Sequence, residues 1–227
     1  MTKSTSVAVI DYGMGNLHSV SKALQKVAPD AEVWVGDDKK KILAADRVVY
    51  PGVGAIRDCI GEIQRRGLDD VITEVARNKP LLGICVGMQG LMRHSEENGG
   101  IDCLGVFPHN VVRFAENTID EKGDTFKVPH MGWSEVRQVA HSNGDVHPLW
   151  QSIADGSRFY FVHSYYVPAG ATAEDCPEAA GLCNYQSDVI AAIARDNIFA
   201  VQFHPEKSHR DGLQLLQNFM NWSGETP

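Results

Sequence analysis

Short β-branched runs alternate with amphipathic helical patterns through the first half of the chain, and this alternation restricts the possible folds most strongly. Such a pattern is typical of βα units, in which parallel strands form one sheet and helices cover it. The predicted strands are at residues 7–10, 32–35, 47–50 and 80–84, and the predicted helices at residues 17–27, 55–66, 68–78 and 86–94. Asn16 is the expected N-cap of the first helix, because its side chain can accept a hydrogen bond from a first-turn amide.

The second half of the chain, beyond residues 98–100, contains strand candidates without long helices between them. These strands are predicted at residues 111–115, 135–139, 158–162, 189–194 and 198–203, and a last helix at residues 211–222. Strands that follow one another without helical crossovers favour antiparallel pairing. We therefore expect one α/β domain over residues 1–227, with an open, mostly parallel central sheet flanked by helices and an additional antiparallel sheet segment.

The composition excludes several classes of function. The 227 residues carry a net charge of −8, from 21 basic and 29 acidic residues, whereas a nucleic-acid-binding protein needs a basic surface to neutralise phosphates. No apolar stretch approaches the roughly 18 residues that span a bilayer, and the short polar lead to residue 6 lacks the features of a secretion signal. We expect no nucleic-acid partner, no membrane partner and a cytoplasmic location.

Neither the cysteines nor the glycines predict a bound metal or nucleotide. The five cysteines are an odd number without the spacing of a disulfide framework. No CxxC, HExxH or similar short-spaced ligand set occurs, so no metal ion is expected. The glycine-rich turn at residues 11–16 lacks the third glycine of a dinucleotide-binding loop. We therefore expect no cofactor.

Cys85 lies in the segment GICVG, residues 83–87, between a predicted strand and a predicted helix. This is the pattern of a nucleophile elbow with cysteine in place of serine, in which a sharp turn exposes the nucleophile at the edge of the sheet. The amide of Val86 would then be an oxyanion donor. The alternative is that Cys85 is a small buried core residue, as many free cysteines are.

His204 is the favoured general base, because it follows the predicted strand 198–203 and precedes a carboxylate, Glu206, by two residues. At the carboxyl edge of a parallel sheet His204 can take the thiol proton and return it to a leaving group, while Glu206 holds the imidazole in one tautomer. The other eight histidines are competitors for this role.

The segment PGVG, residues 51–54, ends a neighbouring strand and would face the same edge. Glycines on both sides of Val53 allow the Gly52–Val53 peptide to reorient and supply a second oxyanion donor. A tight strand-to-helix turn without a catalytic role explains this segment equally well.

Together the segments GICVGMQ (83–89), PGVGA (51–55) and QFHPEKS (202–208) resemble the class I, triad-type glutamine amidotransferases, which have a flavodoxin-like fold. The segments DYGMGNLHSV (11–20), PHMGWS (129–134) and FVHSYY (161–166) are similar to one branch, the glutaminase subunits of imidazole glycerol phosphate synthase. The resemblance extends from residue 7 to about 220 and preserves the order of all six motifs.

This resemblance implies that glutamine is hydrolysed through a thioester on Cys85, with His204 and Glu206 completing the triad. It implies an oxyanion site at Gly52, Val53 and Val86, in which the Gly52–Val53 peptide flips only when the partner is loaded. The residues implied to hold the substrate are Gln89, Glu97, Ser164 and Tyr165.

The resemblance also implies a heterodimer with a cyclase subunit, a HisF-type (β/α)8 barrel. The barrel would use the ammonia to convert phosphoribulosyl formimino-AICAR phosphoribosyl (PRFAR) to imidazole glycerol phosphate and AICAR in histidine biosynthesis. The residues implied to lie at or near the interface are Pro129, His130, Met131, Gly132 and Trp133, although Trp133 is equally well explained as a core aromatic residue. Ser134 stands where this family usually has asparagine, which puts subunit coupling at that position in doubt.

The sequence leaves three alternative functions open. The chain could be a class I amidotransferase subunit that serves another synthase, a catalytically silent regulatory subunit, or a stand-alone cysteine hydrolase such as an intracellular peptidase. Intact Cys85, His204 and Glu206 argue against the silent subunit. Gln89 and the HSYY segment, residues 163–166, argue against the peptidase.

Overall fold

A computed structural model describes residues 5–120, 123–140, 144–170 and 176–226 of the chain. The helices are α1 (Leu17–Val27), α2 (Lys39–Ala44), α3 (Ile56–Arg66), α4 (Asp69–Asn78), α5 (Val86–Gly90) and α6 (His209–Asn221). The strands are β1 (Ser6–Ile10), β2 (Glu32–Gly36), β3 (Arg47–Gly52), β4 (Leu81–Cys85), β5 (His94–Ser95), β6 (Ile101–Asp102), β7 (Asn110–Arg113), β8 (His130–Glu135), β9 (Arg137–Gln138), β10 (Arg158–His163), β11 (Tyr165–Tyr166), β12 (Ala179–Tyr185), β13 (Ser187–Arg195) and β14 (Ile198–Val201). None of the helices in these ranges is long and apolar enough to cross a bilayer.

The central sheet has eight strands in the order β2-β1-β3-β4-β14-β13-β12-β9. The strands from β2 to β14 pair in parallel, and β13, β12 and β9 extend the same sheet with antiparallel pairs. Two smaller sheets, β10-β8 and β11-β7-β5-β6, complete the architecture. The predicted fold class, a mostly parallel sheet with an antiparallel extension, is confirmed.

The strands in the middle of the parallel half are buried on both faces. All five residues of β4, and every residue of β3 after Arg47, are buried, which explains why these strands read as continuous apolar runs rather than alternating ones. Helix α1 buries Val20, Ala23 and Leu24 at helical spacing and contacts α6. The apolar side of α1 thus packs on one face of the sheet beside β1.

The predicted helix 86–94 is wrong in length, because α5 ends at Gly90. The next carbonyls accept hydrogen bonds from a distant segment: Leu104 N donates to Gly90 O at 2.9 Å, and Phe107 N donates to Leu91 O at 2.9 Å. These bonds replace the pairing that would have continued the helix, and the chain turns into β5 instead.

Other differences concern elements with weak local patterns. The predicted strand 135–139 is divided into β8, which begins at His130, and the two-residue β9. The sequence analysis missed α2, which has six residues and buries only Ile42, and β12, which contains a glycine and a register irregularity. A helix with one buried residue has no readable apolar period, and glycine weakens a strand pattern.

Candidate active site

The carboxyl ends of β3, β4 and β14 meet at one edge of the central sheet. The register pairs Gly52 with Cys85, and Val201 with Ile84. A cavity of about 620 Å³ opens beside these strand ends. It is lined by Gly15, Asn16, Val53, Gly54, Cys85, Val86, Gln89, Glu97, Pro129, Val162, His163, Ser164, Tyr165, His204 and Lys207. Parallel sheets bind ligands at this edge.

Cys85 occupies a sharp turn between β4 and α5. Its backbone has φ 55° and ψ −111°, a conformation that residues other than glycine rarely adopt. A Cβ atom on Gly87 would overlap the carbonyl of Tyr50 on β3, so glycine is required for this close approach. The turn has the geometry of a nucleophile elbow, with the thiol at the wall of the cavity.

His204 follows β14 and contacts both Cys85 and Glu206. His204 Nδ1 lies 2.9 Å from Glu206 Oε1, and a side-chain hydrogen bond joins the imidazole to Cys85. Because a carboxylate only accepts, Nδ1 carries a proton and Nε2 is left for Cys85. Burial lowers the pKa of His204, but the hydrogen bonds to Cys85 and Glu206 outweigh it and raise the pKa to about 10. His204 is therefore protonated at neutral pH and lies beside the Cys85 thiol.

Asn16 contacts Glu206 at the same carboxylate oxygen as His204 does. Its Nδ2 donates to Glu206 Oε1 at 3.1 Å, and its side chain makes no capping hydrogen bond to α1. Asn16 does occupy the predicted N-cap position, but the predicted capping hydrogen bond is absent, because the side chain turns toward the carboxylate instead of the first-turn amides. No local pattern indicates this contact, since 190 residues separate the two partners.

The Asn16 contact leads to a test. For the glutamine hydrolysis that the sequence resemblance implies, we expect Asn16→Ala to lower kcat about tenfold, because a hydrogen bond to a carboxylate is stronger than a neutral one, and to leave KM for glutamine unchanged. The measurement is steady-state glutamate release by the chain with the cyclase subunit that the resemblance implies. Gln25→Ala, on the exposed face of the same helix, is the control. An unchanged kcat in Asn16→Ala would show that Glu206 does not need this donor.

The end of β3 forms the other wall beside Cys85. A Cβ on Gly52 would lie 2.5 Å from the Tyr12 hydroxyl and 2.9 Å from Val86 Cβ, so only glycine fits. Tyr12 Oη donates to Pro51 O at 2.9 Å. Val53 lines the cavity together with Val86, whose amide begins α5 beside the thiol. The residues predicted for the oxyanion site are thus adjacent to Cys85.

Four residues predicted to hold substrate also line the cavity, namely Gln89, Glu97, Ser164 and Tyr165. Gln89 Nε2 donates to Tyr165 O and to Gln202 Oε1, both at 2.9 Å. With its amide nitrogen used in this way, Gln89 would contact a ligand through its carbonyl oxygen. Glu97 Oε2 accepts from the backbone amide of Ile56 at 2.9 Å, which fixes the carboxylate at the start of α3.

Gln202 and His163 are site residues that the sequence analysis missed. Gln202 is fully buried, and its Nε2 lies 3.8 Å from Cys85 Sγ. His163 lines the cavity and contacts the Tyr165 carbonyl at 2.8 Å. Both residues lie in the segments QFHPEKS and FVHSYY, so the motifs contained them, but only the fold shows which of their side chains point inward.

The segment predicted to face a partner presents two different sides. Met131 and Trp133 are 62% and 42% exposed, whereas His130 is 2% exposed, because successive residues of β8 point to opposite faces. Pro129 lines the cavity, and the Trp133 ring stacks on His209 at 4.7 Å. Trp133 is thus not a core residue, and His130 points away from the exposed side on which it was expected.

One set of potential metal ligands does come together among the described residues. The ligand atoms of His109, Cys176 and Glu178 lie within 4.8 Å of one another. His109 Nε2 already contacts Glu178 Oε2 at 3.1 Å, and Arg195 lies 3.8 Å from the same carboxylate group. An arginine at this distance opposes a bound cation, so the geometry favours an ion-pair cluster.

Curated relatives resemble the chain over nearly its whole length. The imidazole glycerol phosphate synthase subunit HisH of Pseudomonas putida is 56% identical over 219 residues, which cover 96% of this chain and 98% of that protein. Subunit HisH 1 of Pseudomonas aeruginosa is 55% identical with the same coverage. The HisH subunit of Nitrosococcus oceani is 53% identical over 220 residues, covering 97% of this chain and 99% of that protein.

Solved structures and a family model agree with the fold. PurLQS from Thermotoga maritima has a TM-score of 0.68 at 18% identity, covering 96% of this chain and 99% of that chain. The glutaminase domain of Trypanosoma brucei CTPS has a TM-score of 0.62 at 18% identity, covering 99% and 98%. The family model described as glutamine amidotransferase class-I matches residues 8–222. The chain belongs to the class I glutamine amidotransferases and, within them, to the HisH subunits of imidazole glycerol phosphate synthase.

Proposed function

We propose that this chain hydrolyses glutamine with Cys85, His204 and Glu206 and delivers the ammonia to a cyclase subunit. The chain is the glutaminase subunit of imidazole glycerol phosphate synthase, in histidine biosynthesis. The observation that carries the residue assignment is the hydrogen-bonded series from Cys85 through His204 to Glu206 at the wall of the cavity. A catalytically silent subunit would have no need for this series of residues.

The first half of the proposed reaction forms a thioester. The Cys85 thiolate attacks the side-chain amide carbon of glutamine, and the negative oxygen accepts hydrogen bonds from the amides of Val86 and Val53. His204, protonated because of its raised pKa, donates its Nε2 proton to the departing nitrogen, which leaves as ammonia. Glu206 holds Nδ1 and balances the charge of the imidazolium.

The second half releases glutamate. Neutral His204 takes a proton from water, whose oxygen attacks the thioester carbon, and Cys85 leaves as a thiolate. His204 is then again an imidazolium beside a thiolate. In both halves the negative charge develops on the same carbonyl oxygen of the substrate. This oxygen lies next to the start of α5, where the helix dipole also favours negative charge.

Substrate selection is proposed to depend on the polar wall opposite Cys85. The Glu97 carboxylate and the carbonyl oxygen of Gln89 are acceptors that suit the ammonium group of an amino acid. The Ser164–Tyr165 segment supplies backbone and hydroxyl groups for the carboxylate end. This wall requires a free α-amino acid, so it disfavours a peptide substrate.

The partner is proposed to be a HisF-type (β/α)8 barrel that forms a heterodimer through the exposed face of β8. Met131 and Trp133 are large apolar side chains at the surface, as expected for an interface. A closed path is needed because free ammonia is protonated in bulk water. The Gly52–Val53 peptide is proposed to complete the oxyanion site only in the loaded complex.

Two further proposals concern the whole chain. We propose that residues 1–227 form a single amidotransferase domain, supported by the family match over residues 8–222. We also propose a cytoplasmic location, supported by the five free cysteines, since a reducing compartment preserves thiols.

The decisive experiment measures glutamate release from glutamine by the chain alone, with a cyclase subunit, and with that subunit plus its ligand. A large increase only with the loaded partner supports the proposal, including the Val53 switch. Equal activity without the partner contradicts the switch. Absence of glutaminase activity under all three conditions contradicts the function itself.

A second experiment tests the nucleophile. 6-Diazo-5-oxonorleucine, a glutamine-like electrophile, should label Cys85, and an adduct on Cys59 instead would refute the nucleophile assignment.

The raised pKa of His204 predicts a pH profile. Because the pKa is about 10, His204 stays protonated at neutral pH and loses its proton only as the pH rises through that value. We expect kcat/KM for glutamine to decline on an alkaline limb near that pH, and Glu206→Gln to move the limb to lower pH, because a neutral amide replaces the charged acceptor that raises the pKa of His204. Glu74→Gln, at an exposed site, is the control. A limb at the same pH in all three proteins would contradict the assignment.

A further inference from the structure

A continuous series of hydrogen bonds leads from β8 to the cavity. Ser134 Oγ lies 2.8 Å from His130 Nε2, and His130 Nδ1 lies 3.0 Å from His163 Nε2. His163 Nδ1 lies 2.8 Å from the Tyr165 carbonyl. We call Ser134, His130, His163 and this carbonyl the histidine relay. The two histidines are directly opposite each other in the β8–β10 pairing.

The hydrogen bonds of the relay all donate in one direction, from Ser134 toward the Tyr165 carbonyl. The Tyr165 carbonyl can only accept, so His163 Nδ1 donates to it, and the other nitrogen of a neutral His163 must accept. His130 Nδ1 therefore donates to His163, and His130 Nε2 accepts from the Ser134 hydroxyl. Burial lowers the pKa of His130 to about 4 and that of His163 to about 3, so both rings are neutral at neutral pH.

The inner end of the relay reaches the groups around Cys85. The Tyr165 carbonyl accepts a second hydrogen bond from Gln89, at 2.9 Å. Gln89 also donates to Gln202, whose amide nitrogen lies 3.8 Å from Cys85 Sγ. A shift of the Tyr165 peptide would therefore move Gln89, which lines the cavity, and alter the contacts of Gln202 with the thiol.

The outer end lies on a strand whose other face is open. On β8, His130 and Ser134 point inward, while Met131 and Trp133 are exposed on the opposite side. The His130 ring is held between Tyr185, stacked at 3.9 Å, and Phe161, at 4.9 Å. A ring held on both faces cannot turn freely, so displacement of the β8 backbone is transmitted to His163.

We propose that His130 and His163 are positioning residues that couple the cyclase subunit, docked on the exposed face of β8, to the shape of the glutamine cavity. This inference rests on the proposed function for the identity of the substrate. Its physical basis is the uninterrupted series of short contacts between a surface strand and a carbonyl in the cavity wall. The effect is expected mainly on substrate binding, because the last hydrogen bond of the relay is made to Tyr165, in the segment proposed to hold the substrate.

Two variants of His130 separate hydrogen bonding from packing. His130→Phe keeps an aromatic ring between Tyr185 and Phe161 but removes both nitrogen atoms. His130→Asn loses the ring, but its amide nitrogen can replace Nδ1 as the donor to His163. His147→Phe replaces a buried histidine that does not line the cavity and serves as the matched control.

The test is steady-state glutamate release by each variant with the cyclase partner, with and without the partner's ligand. We expect KM for glutamine to rise about fivefold in His130→Phe, as for loss of one net hydrogen bond, with kcat little changed and with a smaller activation by the loaded partner. His130→Asn and His147→Phe should stay near the parent values. Equal KM in the Phe and Asn variants, or unchanged activation in His130→Phe, overturns the relay.

A second measurement uses the unmutated chain and requires no enzymatic activity. Nitrogen-15 NMR of the histidines in the parent chain should show His163 neutral with its proton on Nδ1, and His130 likewise. A proton on His163 Nε2 alone, or a charged ring, overturns the proposal. If the parent complex has no glutaminase activity, the proposed function fails, while the NMR result still decides the relay.

Discussion

Replacing Cys85 by alanine is expected to lower glutamine-dependent synthesis by the complex about 10,000-fold. No other cysteine can substitute for it, because only Cys85 combines the elbow, the cavity wall and the contact with His204. The measurement is product formation with glutamine as nitrogen source. Synthesis from added ammonium salt should be unaffected, since the proposed cyclase subunit would use ammonia at a site of its own.

Cys59→Ala is the matched control for this loss. Cys59 is also a buried thiol, and its Sγ lies 3.5 Å from the Val53 carbonyl, but burial raises its pKa to about 11, which makes the thiolate rare at neutral pH. Glutamine-dependent synthesis should therefore persist in Cys59→Ala. Full glutamine-dependent activity in Cys85→Ala would revive the silent-subunit alternative, with hydrolysis occurring elsewhere.

The second large effect is expected for His204→Ala, which should lower glutamine-dependent synthesis about 1,000-fold. The variant loses the proton donor for the departing ammonia and the positive charge beside the Cys85 sulfur. Alkylation of Cys85 by iodoacetamide at neutral pH should slow in parallel, because the base that activates the thiol is gone. Ammonium-dependent synthesis should again be unchanged.

His209→Ala provides the comparison for His204→Ala. His209 is a nearby histidine that stacks on Trp133 and does not line the cavity, so its loss should leave alkylation of Cys85 unaltered. Equal loss of synthesis with glutamine and with ammonium in His204→Ala would point to defective folding or docking. An unchanged alkylation rate would mean that His204 does not activate the thiol.

The parallel half of the fold was predictable because its strands are continuous apolar runs separated by amphipathic helices. The elbow at Cys85 was predictable for a related reason: the segment GICVG places a cysteine between two glycines where an apolar strand meets a helix. The placement of His204 and Glu206 beside Cys85 followed from the rule that parallel strands present their carboxyl ends at one edge. Each of these predictions depended on short-range patterns or on a general rule of sheet topology.

The features that were missed depend on contacts between distant segments. Asn16 has the local sequence of a helix cap, but its Nδ2 donates to the buried carboxylate of Glu206, and its side chain accepts no hydrogen bond from a first-turn amide. The early end of α5 depends on carbonyls that pair with the segment ending at Phe107. His130 was grouped with its exposed neighbours, although strand alternation, once β8 is known, places it on the other face.

The adjacency of β4 and β14 has a consequence for synthesis of the chain on the ribosome. Cys85 lies on β4, whereas Gln202 and His204 follow β14, and 117 residues separate Gln202 from Cys85. While the first half of the protein emerges and begins to fold, the thiol is present but its proton-transfer partner has not been translated. The pair of Cys85 and His204 can therefore form only when almost the entire polypeptide has been made.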